Sequence, residues 1–463
     1  MSGPSRGSVL IVGGGASGVI LAAHLLRSQD PGLRVTLIER EPHLGRGLAY
    51  STSLPDHLLN VSAMGMSALA DEPQHFWRWL YAKGLVREGG PPFYAPRSLY
   101  GTYLNELLDG LVEREAKSGR LRLVHEEAIG VATTAAGVEV PLANGASIVG
   151  HVAVLAAGHD QEPAPEQAFA VRLGAAGDTP IDPDAPVLIL GTGLSMVDAW
   201  LTLQHRGHRG TVHAVSRRGL LPSPHHQPTK PLRLDSADIP LGTELSYFVR
   251  WFRELVRDTK KRGGDWRDVI DGLRPYNQRI WQSWPTSAKR RFIQHTKAWW
   301  DIHRHRMAPA IFERVNAAIE SGRLKLLAGR VLDTAQTAEG RAVRIQLRKG
   351  QELISLDVAQ VYDCTGLTKD VSAGSIAVVR SLTDRGLGRP DPLRLGLDVT
   401  SDCAVIAADG TPQSKLFAIG PLTRGTFFEI DAIPDIRAQC ARLADQLAPA
   451  SEAPGVSRSP AAR

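Results

Sequence analysis

Cysteine is scarce in this chain of 463 residues, which contains only Cys364, Cys403 and Cys440. These cysteines are far apart and form no Cys-x-x-Cys pair, which argues against both a disulfide framework and a dithiol–disulfide reductase. Cysteine and histidine also do not group with metal-ligand spacing. His303 and His305, two residues apart, would point to different faces of a helix. We therefore expect no metal site.

Long hydrophobic runs are also missing. No apolar run approaches the roughly 18 residues that a transmembrane helix needs. A glycine-rich motif begins within the first fifteen residues, which leaves no room for a signal peptide ahead of it. These absences predict a cytoplasmic protein without a membrane partner. The net charge of +6 comes from dispersed lysines and arginines, so we expect no nucleic-acid partner either.

Two copies of a nucleotide-binding fingerprint are present. The apolar run 9–12 leads into Gly-Gly-Gly-Ala-Ser-Gly at 13–18, and the apolar run 187–190 leads into Gly-Thr-Gly-Leu-Ser-Met at 191–196. Each continues as a helix-like stretch and a second apolar run, the order of a βαβ dinucleotide site. Two glycine turns in an ordinary α/β sheet are the less specific alternative. The pattern predicts an α/β fold with two dinucleotide-binding, Rossmann-like domains.

The residues that end the two units differ in charge. The first unit ends at Glu39, whose carboxylate can accept hydrogen bonds from ribose hydroxyls, as in an FAD site. The second ends in Ser216-Arg217-Arg218. Counting from the first glycine places Arg217 opposite Glu39, whereas aligning the strands places Ser216 there. In both alignments a guanidinium replaces the carboxylate, which suits the 2′-phosphate of NADPH.

The domain pattern follows from these two units. The sequence predicts an FAD-binding domain at 1–170 that 395–450 completes, and an NAD(P)H-binding domain at 171–394. Within the second domain, 235–323 loses its strand pattern and contains six of the nine tryptophans. We predict a helical insertion that caps the cleft. The Ala/Pro/Ser-rich tail, 451–463, is predicted to be disordered.

Several stretches, specific as a set, resemble the FAD/NAD(P)-binding family related to flavin N-hydroxylating monooxygenases. They are 45–50, 73–79, 96–101, 300–306 and 420–435. Met196 departs from the pattern because it stands where a third glycine would allow close helix–strand packing. The resemblance implies FAD, NADH or NADPH, O2 and a small-molecule substrate. Residues predicted to contact the cofactors are Gly13, Gly15, Ser17, Gly18, Glu39, Arg40, Gly47, Tyr50, Asn60, Arg97, Gly158, Gly191, Gly193, Ser195, Arg217, Arg218, Gly366 and Gly420.

Two of these contacts have structural alternatives. Arg97 either binds the FAD phosphates or caps the helix that follows it. Asn60 either faces the flavin ring or only makes a turn.

Gly420 is expected to lie where the start of the final helix stabilises the flavin. Glu429 and Asp431 lie near that predicted flavin end, where acidic residues are common without a catalytic role.

The resemblance implies a monooxygenase that acts through a flavin hydroperoxide, and within this family it favours oxidation of urate to 5-hydroxyisourate. Urate is an anion, so Arg304 and Arg306 are predicted to contact the substrate, with His305 as a possible proton carrier. A solvated basic face is the structural alternative for these residues. N-hydroxylation of an amino acid or diamine, and electron transfer as an NAD(P)H-dependent reductase, are the alternative functions. The insertion shows no acidic cluster for an amine.

Overall fold

The structure is a computed structural model that describes residues 7–159, 169–174, 178–226, 231–338, 340–348, 352–366 and 370–448. The predicted disordered tail, 451–463, lies outside the described residues. The strands in chain order are β1 (Ser8–Val12), β2 (Arg34–Glu39), β3 (Leu121–His125), β4 (Ala132–Thr133), β5 (Val138–Pro141), β6 (Ser147–Gly150), β7 (Val152–Leu155), β8 (Val187–Leu190), β9 (Val212–Ser216), β10 (Leu324–Thr337), β11 (Gly340–Leu347), β12 (Leu353–Val358), β13 (Gln360–Asp363), β14 (Ala404–Ile406) and β15 (Pro412–Ala418).

The helices follow the same order along the chain, and the described helices include none that is long and apolar enough to cross a membrane. They are α1 (Ala16–Leu25), α2 (Gly47–Tyr50), α3 (His75–Ala82), α4 (Arg97–Glu115), α5 (Leu194–His205), α6 (Leu245–Lys261), α7 (Trp266–Leu273), α8 (Asn277–Ser283), α9 (Thr286–Arg291), α10 (Lys297–Arg304), α11 (Pro309–Glu320), α12 (Ala377–Asp384) and α13 (Ile433–Leu447). A π-helical segment, Phe292–Thr296, joins α9 to α10.

The first sheet has the strand order β14-β15-β7-β1-β2-β3. Its strands run parallel except β14, which pairs antiparallel with β15. The apolar run of β1 is buried because neighbouring strands flank it and α1 covers it. Helix α1 packs in turn against α13 near the end of the chain. This unit therefore combines the N-terminal fingerprint with C-terminal elements.

The second sheet has the strand order β12-β11-β10-β9-β8-β13. Strands β13, β8, β9 and β10 are parallel, and β11 and β12 extend them as an antiparallel meander. A third sheet, β4-β5-β6, is antiparallel. The molecule is thus an α/β protein with two parallel-sheet units, which confirms the predicted fold class.

The helical insertion has its own core but is shorter than predicted. Helices α6 to α9 and the π-helical segment pack around Phe248, Leu273, Trp281 and Phe292. Helix α11 instead buries Val315 and neighbouring apolar residues in the core of the second sheet. Helix α11 is the crossover helix that leads the chain into β10, and β10 runs parallel to β9. The separately packed insertion, here called the cap, therefore ends near α10 and not at 323.

Two further predicted boundaries differ from the structure because core packing, not composition, decides them. Phe169 and Ala170 already pack against the core of the second sheet, so the first unit ends before 170. The return to the first unit was predicted at 395. Val371, Val378 and Leu382 already belong to its core, so the return lies before residue 371.

Candidate nucleotide and active site

The first glycine turn needs glycine at two positions for reasons within the protein. Gly13 has φ +111°, and a Cβ there would lie 2.5 Å from the carbonyl oxygen of Ala156. A Cβ at Gly18 would lie 1.9 Å from the carbonyl oxygen of Gly13. The first glycine therefore lets the chain leave β1 beside the end of β7. Gly18, the third glycine of the fingerprint, lets α1 pack directly on the turn.

Gly15 is different, because no described protein atom excludes a side chain there. It is the N-cap of α1 at φ −70°, and the nearest atom to an added Cβ is the Cα of Gly47 at 3.6 Å. Gly47 is itself a left-handed residue, at φ +50°. The two glycines face each other and leave the first turn of α1 open. This is the geometry that a pyrophosphate needs to approach backbone N–H groups.

The carboxylate of Glu39 is held in place by the backbone. It accepts hydrogen bonds from the N–H of Gly14 at 2.7 Å and from the N–H of Glu41 at 3.0 Å. It lines a cleft of about 550 Å³ together with Gly13, Gly47 and Arg46. The Nε of Arg46 is buried without a hydrogen-bond partner. A buried, unpaired guanidinium donor beside a glycine turn fits an anionic ligand such as a cofactor phosphate.

Two other predicted FAD contacts, Arg40 and Tyr50, differ in their relation to this cleft. Arg40 lines it and is 62% exposed, with ion pairs to Glu41 at 3.4 Å and to Glu127 at 3.3 Å. Tyr50 ends α2, and its ring lies 4.8 Å from that of Tyr100. Arg40 is therefore an exposed lining residue of the cleft, whereas Tyr50 is not among its described lining residues and packs against Tyr100.

Gly420 brings the C-terminal segment to the first fingerprint. It has φ +66°, and a Cβ there would lie 2.5 Å from Oγ of Ser17. Its N–H donates to the side-chain oxygen of Gln439 on α13 at 2.7 Å. Gly158, at φ +73°, follows β7 at the same sheet edge and precedes His159. The predicted residues Ser17, Gly158 and Gly420 therefore lie together at one end of the first unit.

The second glycine turn repeats the geometry of the first. Gly191 has φ +107°, and a Cβ there would lie 2.4 Å from the carbonyl oxygen of Cys364. Gly193 is the N-cap of α5, and an added Cβ would meet nothing within 4 Å. Ser195 lies exposed in the first turn of α5. Met196 is fully buried in the core of this unit, so a thioether fills the contact that a third glycine would make.

The strand registers decide which residue corresponds to Glu39. In the first unit Val12 pairs with Ile38, and in the second Leu190 pairs with Val215. Ser216 therefore occupies the position of Glu39, and Arg217 follows it. The Ser216 hydroxyl lies 2.9 Å from the Thr192 hydroxyl and accepts from the Gly219 N–H at 3.0 Å. These hydrogen bonds connect the loop after β8 with the loop after β9.

Four arginines line a cleft of about 570 Å³ beside this strand end. No carboxylate is among the described residues that line the cleft. The cleft contains Arg217, Arg218, Arg330 and Arg348, with Gln294 and His295 from the cap. A cluster of guanidinium groups without a carboxylate attracts a phosphate. Gly366, at φ +110° and exposed, follows β13 on the same unit.

Arg97 and Asn60 lie between the two units and do not contact the first glycine turn. The Nη1 of Arg97 is 2.8 Å from the carboxylate of Asp198 on α5. The carbonyl oxygen of Asn60 is 2.9 Å from Nε2 of His225. The guanidinium that we predicted to bind FAD phosphates is thus occupied by an ion pair. The arginines that line the cleft at the first turn are Arg40 and Arg46, and Arg97 is not among its described lining residues.

Arg304 and Arg306 are buried in the structure, where we predicted contacts with an anionic substrate. Arg304 donates from Nε to Glu429 at 3.0 Å, and Arg306 pairs with Asp271. His305 lies 4.0 Å from the Glu429 carboxylate. A solvated basic face is therefore wrong for both arginines. Each guanidinium is already paired with a carboxylate of the chain, which weakens the prediction that it contacts an anionic substrate. Only Nη2 of Arg306 makes this contact, and its Nε and Nη1 are buried without a hydrogen-bond partner.

Glu429 is the centre of a charged cluster that joins the cap to the segment after Gly420. Its carboxylate also accepts from Nε1 of Trp300 at 2.6 Å and from Nδ2 of Asn277 at 2.9 Å. Burial alone would raise the pKa of Glu429, but these donors and Arg304 outweigh burial and hold the pKa below its usual value. Glu429 also has φ +60°, an uncommon backbone conformation for glutamate. We conclude that tertiary contacts hold this carboxylate in place.

A second carboxylate–guanidinium pair lies beside the first. Arg274 of the cap is 3.3 Å from Asp435 in the first turn of α13. Burial raises the pKa of Asp435, and Arg274 only partly offsets that effect. The two pairs together attach the cap to the end of the first unit where Gly420 and Gly158 lie.

Removing the Glu429 side chain should destabilise the protein strongly. In Glu429→Ala, Arg304 remains buried without its partner, which typically costs about 3 kcal/mol of unfolding free energy. Urea denaturation at pH 7 measures this loss. The folded pKa of Glu429 is lowered, so its contribution is present above the unfolded pKa of about 4.3. It should disappear as the pH falls through the folded pKa.

The control for this variant is Asp184→Ala, which breaks an exposed ion pair with Arg209. Exposed pairs contribute little because solvent screens them. If the two variants lose equal stability, the Glu429 cluster does not hold the cap to the first unit.

Sequence reasoning missed several residues of these sites. Arg330 lies on β10 and Arg348 follows β11, and only the hairpin between these strands brings them to Arg217. Asn277 and Arg274 carry no periodic signal that would point to Glu429. Arg46 could have been identified from the sequence. It lies between two glycines, within the stretch 45–50 that carries the family resemblance.

Comparison with known proteins agrees with this geometry. Residues 10–160 match a protein family described as FAD-NAD(P)-binding. No curated protein matches the sequence. The fold matches that of a cadaverine monooxygenase bound to FAD from Erwinia amylovora, with 14% identity, full coverage of both chains and a TM-score of 0.64.

Two further solved structures share the fold over 95% of this chain and 98% of theirs. One is an ornithine N-hydroxylase from Kutzneria sp. 744 with reduced FAD, NADP+ and L-ornithine, at 16% identity and a TM-score of 0.63. The other is an L-lysine 6-monooxygenase from Pseudomonas syringae, at 17% identity and a TM-score of 0.61. These likenesses, at 14–17% identity, show a shared fold. Both predicted nucleotide turns lie within it.

Proposed function

We propose that this protein is an FAD-dependent monooxygenase that uses NADPH or NADH to hydroxylate a small molecule. The main support is the pair of open glycine turns with opposite charge beside them. The first turn lies next to Glu39, and the second lies next to Arg217 and Arg218. Each turn opens at the N-terminus of a helix at the edge of a parallel sheet, where dinucleotides bind in such folds.

FAD fits the first cleft. The residues that would hold its ADP portion are the turn at Gly15, the Glu39 carboxylate for the ribose and the unpaired Nε of Arg46 for a phosphate. When bound, the flavin supplies the redox chemistry, taking electrons from the nicotinamide and reducing O2. The chain itself need only position the substrate, exclude water and hold the nicotinamide near the flavin.

NADPH is the electron donor that the second cleft favours. A 2′-phosphate carries about two negative charges at neutral pH, by analogy with other phosphate monoesters. The cleft offers it four arginines and no described carboxylate. NADH lacks that group and would leave the arginines unpaired. We propose a preference for NADPH.

The ion pairs of Arg304 and Arg306 bear on which substrate the protein accepts. Arg304 and Arg306, the residues predicted to contact anionic urate, are both paired with carboxylates of the chain, and Nε and Nη1 of Arg306 are buried without a hydrogen-bond partner. The three fold relatives are hydroxylases of ornithine, lysine or cadaverine by their names. The insertion lacks an acidic cluster, but the segment after Gly420 supplies Asp431, which is 46% exposed beside His159. N-hydroxylation of a small amine is therefore the better supported reading, and urate oxidation is the second candidate.

The test is a substrate survey with the purified, flavin-loaded protein. We expect NADPH oxidation and O2 consumption to increase with an amine such as ornithine, lysine or cadaverine, with a product 16 mass units heavier, as the addition of one oxygen atom requires. Stimulation by urate alone would select the second candidate. Reduction of an artificial electron acceptor without any hydroxylated product would favour a reductase and contradict both.

Asp431 provides a sharper version of the amine test. In Asp431→Asn we expect the KM of the amine to rise about tenfold, because the variant replaces a charge-assisted hydrogen bond by a neutral one. The KM of NADPH should stay unchanged. Asp402→Asn, at an exposed turn before β14, is the matched control. An unchanged amine KM in Asp431→Asn would remove Asp431 from the substrate site.

A further inference from the structure

One helical rod of the cap contacts both the arginine cleft and Glu429. It consists of α9, the π-helical segment and α10, which follow one another without a break from Thr286 to Arg304. Nothing in the proposed chemistry requires a single element to contact both places.

The π-helical segment forms the contact with the arginine cleft. Gln294 and His295 line the cleft, and both are exposed. Nη2 of Arg218 donates to the carbonyl oxygen of His295 at 3.2 Å. A cationic side chain of the nucleotide cleft therefore binds the backbone of the cap.

The other end of the rod forms the contact with Glu429. Trp300 donates from its indole nitrogen at 2.6 Å and Arg304 from Nε at 3.0 Å. His295 and Arg304 are nine residues apart, which corresponds to about 13 Å along a helix. The cleft and Glu429 are thus separate places that one rigid element connects.

The π-helical segment is the part of this rod that can change most easily. A π turn contains one residue more than an α turn, so a small shift in hydrogen-bond register restores α geometry. Such turns occur frequently at functional sites. Helix shifts of about 1–2 Å are sufficient to repack an interface. A register change at 292–296 would move Trp300 and Arg304 relative to Glu429.

We propose that the cap forms part of the nucleotide site and that a bound 2′-phosphate changes the contact between the cap and Glu429. The phosphate competes with the His295 carbonyl for Arg218, because a charge-assisted hydrogen bond to phosphate is stronger than one to a neutral carbonyl. Release of that carbonyl lets the π-helical segment change register, and α10 moves with it. The inference rests on the proposed binding of NADPH at this cleft.

The experiment uses 2′,5′-ADP, which carries the 2′-phosphate but has no nicotinamide to reach the flavin. Hydrogen exchange is measured on the full-length, flavin-loaded protein with 2′,5′-ADP and, as control, with 5′-AMP. We expect 2′,5′-ADP to change the exchange of 292–304 and of 427–432, and 5′-AMP to leave both unchanged. In Arg218→Ala the response of 427–432 should be lost.

Reciprocal coupling gives a second measurement. Because linkage is symmetric, Glu429→Gln should alter the affinity for 2′,5′-ADP by about five- to tenfold, although Glu429 does not line the cleft. Asp184→Asn, at a distant exposed ion pair, is the matched control. If Glu429→Gln does not fold, the exchange experiment on the unaltered protein still decides the question.

The outcomes separate this inference from the proposed function. If 2′,5′-ADP binds and changes only the residues of the cleft, the coupling is wrong and the NADPH site stands. If 2′,5′-ADP binds no better than 5′-AMP, the NADPH assignment and the inference are both overturned. A change at 427–432 caused by 2′,5′-ADP alone supports the coupling.

Discussion

Gly15→Val should give a folded protein that is purified without its yellow colour. An added Cβ at Gly15 meets only the Cα of Gly47, at 3.6 Å, and the backbone at φ −70° accepts a side chain. The new methyl groups would occupy the opening through which a pyrophosphate reaches the first turn of α1. Losing two charge-assisted hydrogen bonds of about 1.5–3 kcal/mol each weakens FAD binding by about 100-fold or more. Absorbance near the flavin bands measures the retained cofactor.

Gly110→Val is the matched control for this experiment. Gly110 lies on the exposed face of α4, and a Cβ there meets nothing within 4 Å. This variant should keep its FAD, and both variants should show the circular dichroism of the unaltered protein. A folded Gly15→Val protein with a full complement of FAD would contradict the assignment of the first turn.

Arg217→Glu should reverse the nucleotide preference. The variant places a carboxylate in a cleft that contains Arg218, Arg330 and Arg348, so a 2′-phosphate meets repulsion where it had a charged donor. We expect the KM of NADPH to rise about 10- to 100-fold, as loss of a charge-assisted contact implies. The KM of NADH should change little, because NADH has no group at that position. Steady-state kinetics with both nucleotides gives the comparison.

Arg257→Glu controls for the change in net charge. Arg257 is exposed on α6 of the cap and does not line the arginine cleft. It should leave both KM values unchanged. Equal increases for NADPH and NADH in Arg217→Glu would contradict a 2′-phosphate site at this cleft, whatever their size.

The nucleotide turns were predictable because their determinants are local. Gly13, Gly18 and Gly191 are required by contacts of the backbone with itself, and the apolar runs beside them form central strands. The equivalence of Glu39 with Ser216 was only one of two alternatives, because glycine counting and strand alignment disagree by one residue. The pairing of Leu190 with Val215 decided it. Strand register depends on hydrogen bonds between strands, which cannot be read directly from the sequence.

The candidate active site was less predictable because charged side chains acquire their roles from distant partners. Arg304 and Arg306 were expected to meet an anion from outside the protein. The chain itself supplies Glu429 and Asp271, which lie far away in sequence. Arg97 was expected to bind FAD, but its guanidinium forms an ion pair with Asp198 on α5. In each case a carboxylate from another element removes a charge that sequence reasoning had left free.

Local sequence alone specifies an α/β protein with two glycine turns of the dinucleotide-binding type, with a carboxylate after the first and guanidinium groups after the second. These features depend on short-range backbone sterics and on apolar runs of a few residues. Tertiary contacts set where the cap ends, which arginines pair with carboxylates of the chain and how Glu429 joins the cap to the first unit. The Glu429 contacts connect residues that lie more than 100 positions apart in the chain, and no local pattern encodes such pairings.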